Sequence, residues 1–236
     1  MKTYRIAVLL LGVVAGGLQA AEPLEYKGFR ACTKCHEQIG ESWIKTAHAS
    51  AFESLKPQVK AEAKKKAGLD PARDFTRDPD CIGCHVTGYG APGGYHPDMG
   101  ADQAKVVLGV TCESCHGAGS IYRQLHGKAE DKLKKAGEST DRQTLVDAKQ
   151  NFDYERACAA CHLNYPSSGW SGVKPPHSPF TPSINTKYRF DFGKAVLNTG
   201  GQNPIHMHFK LRGVFKGEHA PVFREELQRS AQEPDD

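Results

Sequence analysis

Eight cysteines fall in four pairs, each followed at once by a histidine: Cys32-Thr-Lys-Cys35-His36, Cys81-Ile-Gly-Cys84-His85, Cys112-Glu-Ser-Cys115-His116 and Cys158-Ala-Ala-Cys161-His162. The four motifs use every cysteine, leaving none for a disulfide framework, a separate metal cage or a thiol nucleophile. Cys-x-x-Cys-His is the c-type haem attachment signature. Both thiols bond the porphyrin edge, and the adjacent histidine sits under the plane, where its imidazole reaches the iron. Paired Cys-x-x-Cys units would also suit zinc ribbons, and exported chains often spend an even number of cysteines on disulfides. Neither explains a histidine after every pair. The chain therefore reads as a carrier of four covalently bound c-type haems, with Cys32, Cys35, Cys81, Cys84, Cys112, Cys115, Cys158 and Cys161 as attachment points. His36, His85, His116 and His162 are the proximal iron ligands.

The second axial position decides the chemistry. An iron with two histidines stays six-coordinate and shuttles electrons, whereas an open sixth position binds small molecules. Of eleven histidines, seven remain for four irons: His48, His96, His126, His177, His206, His208 and His219. His48 lies twelve residues past His36, roughly 18 Å along a helix, too far to curl back over its own haem. Either it caps another haem or it is a surface residue; its small neighbours Ala47 and Ala49 favour ligation. His126, after the Gly117-Ala-Gly119 turn, reads the same way. His206 and His208 diverge on a helix and share a face on a strand, so at most one binds a given iron. His96, His177 and His219 lie in loop or tail sequence and read as exposed.

The elements that must position these groups are short. Residues 37–55 predict an amphipathic helix, with Ile39, Trp43, Ala47 and Ala51 at four-residue spacing and a stop at Pro57. Residues 58–68 predict a basic helix closed by Gly68. Residues 70–80 form a charged turn region, and Gly and Pro make 87–100 a loop. Residues 128–149 read as two short solvated helices broken near Gly137. Five prolines in 164–186 predict an extended wrapping segment. The alternating stretches 188–192 and 209–214 permit strand or helix. Motif spacings of 49, 31 and 46 residues show no repeat, and residues 21–236 read as one domain.

The first twenty residues read as a cleaved secretory signal: Lys2 and Arg5, an apolar run over 6–18, and Leu18-Gln19-Ala20 before the cut. That run is short of the ~20 residues a membrane span needs. A mean hydropathy of −0.55, with 24 Gly and 14 Pro, argues against an integral membrane protein and against a large conventional core. Porphyrins would fill the interior instead, so a chain without attached haem is expected to be unfolded. Removing Lys2 and Arg5 takes the formal charge from +4 to +2, and eight propionates would push the holoprotein negative. The Lys-rich stretches at 56–66 and 128–135 stay basic, a dipolar surface suited to salt-sensitive docking with a redox partner. Export makes nucleic acid a poor partner.

Beyond the motifs, the chain carries Ser42-Trp43 through Thr46-Ala-His48, Glu53-Ser-Leu-Lys-Pro57, residues 80–85, 109–117 and 158–165, and a final His-x-His-Phe-Lys-Leu-x-Gly-Val-Phe215. Together these resemble the tetrahaem cytochrome c-554 family of ammonia-oxidising bacteria, over essentially the whole mature chain. The resemblance implies a mainly α multihaem cytochrome c with little conventional core, its helices and long loops wrapped around four haems stacked in near-parallel pairs. It implies that His126 caps the haem on His36, His48 the haem on His116, and His206 the haem on His162. The haem on His85 would be five-coordinate and high-spin, its pocket closed by Ser178-Pro179-Phe180. His96 and His177 stand where the family is not expected to have histidine; either one, on that iron, would close the open site.

The function implied is a periplasmic electron carrier in ammonia oxidation. It would accept electrons from hydroxylamine oxidoreductase and pass them toward the membrane quinone pool, through a quinone reductase, or to a smaller cytochrome. The alternative is a reductase of a small nitrogen oxide, such as nitric oxide, at the open haem. No base, nucleophile or substrate loop stands out, which favours the carrier and assigns no catalytic side chain.

Overall fold

The computed structural model describes residues 23–163, 177–197, 205–219 and 223–234. The signal segment, Tyr165, and prolines 166, 175 and 176 lie outside them. Among the described residues the chain forms short helices joined by turns: α1 (Arg30–Thr33), α2 (Glu37–Trp43), α3 (Ala61–Lys66), α4 (Ala101–Ala104), α5 (Cys112–His116), α6 (Tyr122–Ala136), α7 (Gln143–Asp147), α8 (Tyr154–His162), α9 (Phe192–Leu197) and α10 (Arg224–Ser230). Two-residue strands β1 (Thr140–Asp141) and β2 (Phe215–Lys216) pair in parallel, Thr140 opposite Phe215.

The expected helix over 37–55 is broken. It ends at Trp43 and resumes as a single 3₁₀ turn at Phe52–Leu55. Hydroxyls compete with the helix ladder here: Ser42 Oγ donates to the Ile39 carbonyl at 2.9 Å, and Thr46 Oγ1 accepts from Ala49 N at 3.4 Å. The intervening backbone docks elsewhere. Val110 N donates to the His48 carbonyl at 2.9 Å, and Trp43 Nε1 donates to the Val110 carbonyl at 3.0 Å. The approach is so close that a Cβ on Gly109 (φ +80°) would sit 2.6 Å from the Ala49 carbonyl oxygen.

The break at Gly137 is where the sequence places it: the residue adopts φ +69° and its N–H closes on the Leu133 carbonyl, a left-handed cap. The helix before it starts earlier than expected, at Tyr122. It buries Tyr122 and Ala129 and exposes the pairs Glu130–Lys134 and Asp131–Lys135. The second expected helix shrinks to α7 and is not simply solvated, since Leu145 is buried. Thr140 and Asp141 are taken by the strand pair, which ties this stretch to the tail. Helix α8 is started by Asp153, whose carboxylate accepts Arg156 N at 3.1 Å, a standard N-cap. The undecided tail stretches are mostly irregular: Tyr188 ends a 3₁₀ turn, Phe192 opens α9, and Phe209 makes a single bridge to Gln232.

Apolar packing is concentrated around the second motif. Leu55, Phe75, Ile82, Val86, Tyr95 and Val107 form one buried cluster, with Ile82 inside the motif. A smaller cluster joins Tyr122, Leu145 and Ala148, with Phe215 against it. Thr87 and Thr111 are buried between the second and third motifs. Thr87 Oγ1 lies 2.9 Å from the Gly109 carbonyl and from Thr111 Oγ1, and accepts Thr111 N at 3.0 Å.

Candidate haem centres

Each motif is one turn of helical backbone. In α5, and at the end of α8, the two cysteines are three residues apart and share a face. The first motif closes through His36 N on the Cys32 carbonyl at 3.0 Å, the second through His85 N on the Ile82 carbonyl at 2.9 Å. None of the eight cysteines is in a disulfide. Burial pushes Cys81 and Cys158 up to about 11 and Cys115 up to about 12, so these are neutral thiols. Among the described residues no three His, Cys, Asp or Glu side chains converge as a tetrahedral zinc site requires.

Motifs distant in sequence meet in space. The Cys32 side chain lies beside Cys112, and Cys84 beside Cys161. The first and third motifs thus lie side by side, as do the second and fourth. A cavity between the first and third is lined by Cys32, His36, Cys112, Cys115 and His116, together with His48, Trp43 and His206. Burial depresses the pKa of His36, His48, His85, His126 and His206. It takes His116, His162 and His208 down to about 4. All are neutral imidazoles at neutral pH, each with a lone pair for a metal.

Hydrogen bonds select which nitrogen carries that lone pair. His85 Nδ1 donates to the Ala51 carbonyl at 2.7 Å, with Ser54 Oγ 3.1 Å away, leaving Nε2 free. His206 Nδ1 donates to the Met207 carbonyl at 2.8 Å. His126 is reversed: Nε2 donates to Gln150 Oε1 at 3.0 Å, so the lone pair is on Nδ1. Packing fixes the other rings. His116 meets Tyr154 edge-on at 5.1 Å, His162 stacks on Phe190 at 4.1 Å, and His126 packs against Phe215 at 5.2 Å.

Some rings pair. His48 and His162 stand 6.3 Å apart, centroid to centroid. Two imidazoles on opposite sides of one metal, each bonded at about 2 Å, need a separation of that size. His116 lies near His206, His126 and His36, and His126 near His36. His85 has a different set of neighbours, Ala51, Ser54 and Lys64, with no histidine among them. His208 hydrogen-bonds the Val196 backbone and its Nε2 is buried without a partner; it does not line the cavity.

His96, His177 and His219 are exposed. His96 lies 3.8 Å from Asp98, and His219 shares a 2.7 Å hydrogen bond with Gln143. Ser178 Oγ accepts Phe180 N at 3.2 Å, and Phe180 packs edge-on to Tyr188 at 5.5 Å, with Pro179 half-buried between them in sequence. Sequence reasoning missed two buried charges beside the motifs, Glu113 and Lys64. For Glu113 the one signal was a carboxylate inside an attachment motif; for Lys64 there was none.

The residues fit haem: paired thiols on one helical turn, a neutral imidazole beside each pair, and two facing rings at the spacing one metal demands. The comparisons agree. A family model described as "Cytochrome c554 and c-prime" matches residues 31–117. Cytochrome c-554 of Nitrosomonas europaea is 45% identical over 226 residues, 96% of this chain and 93% of the relative. The solved reduced state of cytochrome c554 from the same organism shares 46% identity, with a TM-score of 0.78 over 89% of this chain and 99% of that one. With that identity over nearly its whole length and the same mainly helical architecture, the chain belongs to the cytochrome c-554 family, c-type cytochromes that carry electrons on covalently bound haem.

Proposed function

We propose that the protein is a periplasmic tetrahaem electron carrier in ammonia oxidation. It accepts electrons from hydroxylamine oxidoreductase and delivers them to a smaller cytochrome or toward the quinone pool. The observation that carries this reading is the shared cavity of the first and third motifs, lined by Cys32, His36, Cys112, Cys115 and His116, because attachment points side by side give a relay of neighbouring centres. Bound haem supplies a one-electron iron couple. The chain's residues would anchor the groups through eight thioethers and ligate them through imidazoles, with Trp43, Ile82 and Val107 excluding water. Among the described residues no helix is long and apolar enough to cross a membrane, and the signal-like segment 1–20 supports export.

His36, His85, His116 and His162 are the proximal ligands in this reading, and His126 faces the haem on His36. For His48 and His206 the ring geometry supports the exchange of the assignments implied by the resemblance. His48 belongs opposite His162, at 6.3 Å, and His206 belongs with His116, whose cavity it lines. Among the described residues the contacts of His85 include no histidine, and the exposure of His96 and His177 supports an open sixth position there, which the resemblance implies is closed by Ser178, Pro179 and Phe180.

Stopped-flow mixing of the oxidised holoprotein with hydroxylamine oxidoreductase and hydroxylamine tests the carrier. Reduction within the donor's turnover time is expected; no reduction would overturn it. Steady turnover of nitric oxide by the pre-reduced protein would instead support a reductase.

A further inference from the structure

Three charged side chains are buried among the described residues: Lys64, Glu113 and Arg142. Glu113 is 1% exposed and follows Cys112 inside the third motif. Its carboxylate accepts Lys27 N at 2.9 Å on both oxygens, Gly28 N at 2.7 Å and Gly119 N at 2.6 Å. All three donors are backbone amides, which satisfy an anion without cancelling its charge.

Lys64 is 5% exposed. Its Nζ donates to the Lys56 carbonyl at 2.6 Å and stands 5.3 Å from the centre of the Phe75 ring. Lys56 ends the 3₁₀ turn that carries Ser54 and follows Ala51, the two residues holding His85 Nδ1. Phe75 packs in the cluster of Ile82, which lies between Cys81 and Cys84. The hydrogen-bond acceptor of this cation is a carbonyl, and the exposed Asp74 carboxylate lies within electrostatic reach. Arg142, the third buried charge, donates to the Phe215 carbonyl at 3.0 Å and lies near Tyr154 and Arg224. It forms no ion pair with Glu113.

A fixed charge in a low-dielectric interior acts strongly on a centre that gains or loses an electron. An anion favours the oxidised iron and lowers its reduction potential; a cation does the reverse. We infer that Glu113 and Lys64 are positioning residues that offset the potentials of neighbouring centres, Glu113 lowering the one attached at Cys112 and Cys115, Lys64 raising the one attached at Cys81 and Cys84. The offset inclines electrons entering at the third motif toward the second. This inference rests on the tetrahaem reading, which a haem count per chain tests separately.

The experiment is a potentiometric titration of holoprotein variants confirmed to hold all four haems, followed by optical and paramagnetic-resonance spectra. Glu113→Gln is expected to move one wave to more positive potential, so that at a fixed applied potential that haem is several-fold more reduced. Glu113→Asp, which keeps the charge, should restore most of the native curve. Lys64→Met is expected to move the high-spin wave to more negative potential, and Lys64→Arg should leave it in place. Native titration curves for both Glu113→Gln and Lys64→Met overturn the inference. If Glu113→Gln does not load its haems, Lys64→Met decides alone, and a native curve overturns it. Absence of any high-spin signal in the native protein would count against the open site, not against the charges.

Discussion

The surroundings of His85 and the cavity between the first and third motifs solve the same problem in different ways. Around His85 the chain builds its own core: Leu55, Phe75, Ile82, Val86, Tyr95 and Val107 pack together, and the ring is tied back to Ala51. Among the described residues its contacts include no second histidine. In the cavity the chain packs less against itself and lines space with His36, His48, His116 and His206. Protein packing and imidazole pairing thus alternate. In the proposed reading, where side chains fill the interior the iron's far side would have no protein ligand; where they leave room, histidines from distant segments would close it and crosslink the chain.

The largest test of this contrast is removal of the haems. Chain made without haem attachment is expected to show no cooperative melting in calorimetry, because the cavity half has little apolar surface of its own to bury. Hydrogen exchange should find any residual protection in the Leu55–Ile82–Val107 cluster. A cooperative transition in the haem-free chain would break the comparison.

Next comes ligation. His48→Ala or His206→Ala, in the loaded protein, should convert one low-spin ferric haem to high spin, raising the high-spin share from one quarter to one half in paramagnetic-resonance spectra. His96→Ala and His177→Ala should leave that share unchanged. A native protein with four low-spin haems would mean that one of these two does reach the iron on His85.

The smallest expected effect is on packing. Ile82→Ala, at a site with no exposed surface, should cost about 2–5 kcal/mol of unfolding free energy in denaturant titration. An equal-sized truncation in the cavity wall, Ile39→Ala at a half-buried position, should cost clearly less. Equal costs would show that the two halves are packed alike.

Much of the chemistry was legible in the residues. The four motifs could be read because attachment needs two thiols and an imidazole within five consecutive residues, a strictly local requirement. The stop at Gly137 was legible for the same reason, since a left-handed cap is a property of one residue. The helix expected over 37–55 was not. Its four-residue spacing is genuine, but Ser42 and Thr46 use their hydroxyls on the backbone, and the His48 carbonyl is claimed by Val110, 62 positions away. The exposed state of His96 could be anticipated from its loop; the burial of Glu113 could not, because its partners Lys27 and Gly28 come from the other end of the motif series.

By itself, then, the sequence determined the family and the cofactor class and named the candidate attachment points and proximal histidines, all of which depend on residue types at short range. Tertiary structure alone decided which motifs lie together, which histidine faces which ring, and which charges are buried beside them. Those are contacts between segments tens of residues apart. They are set by how loops close around a shared interior, and no local pattern encodes that closure.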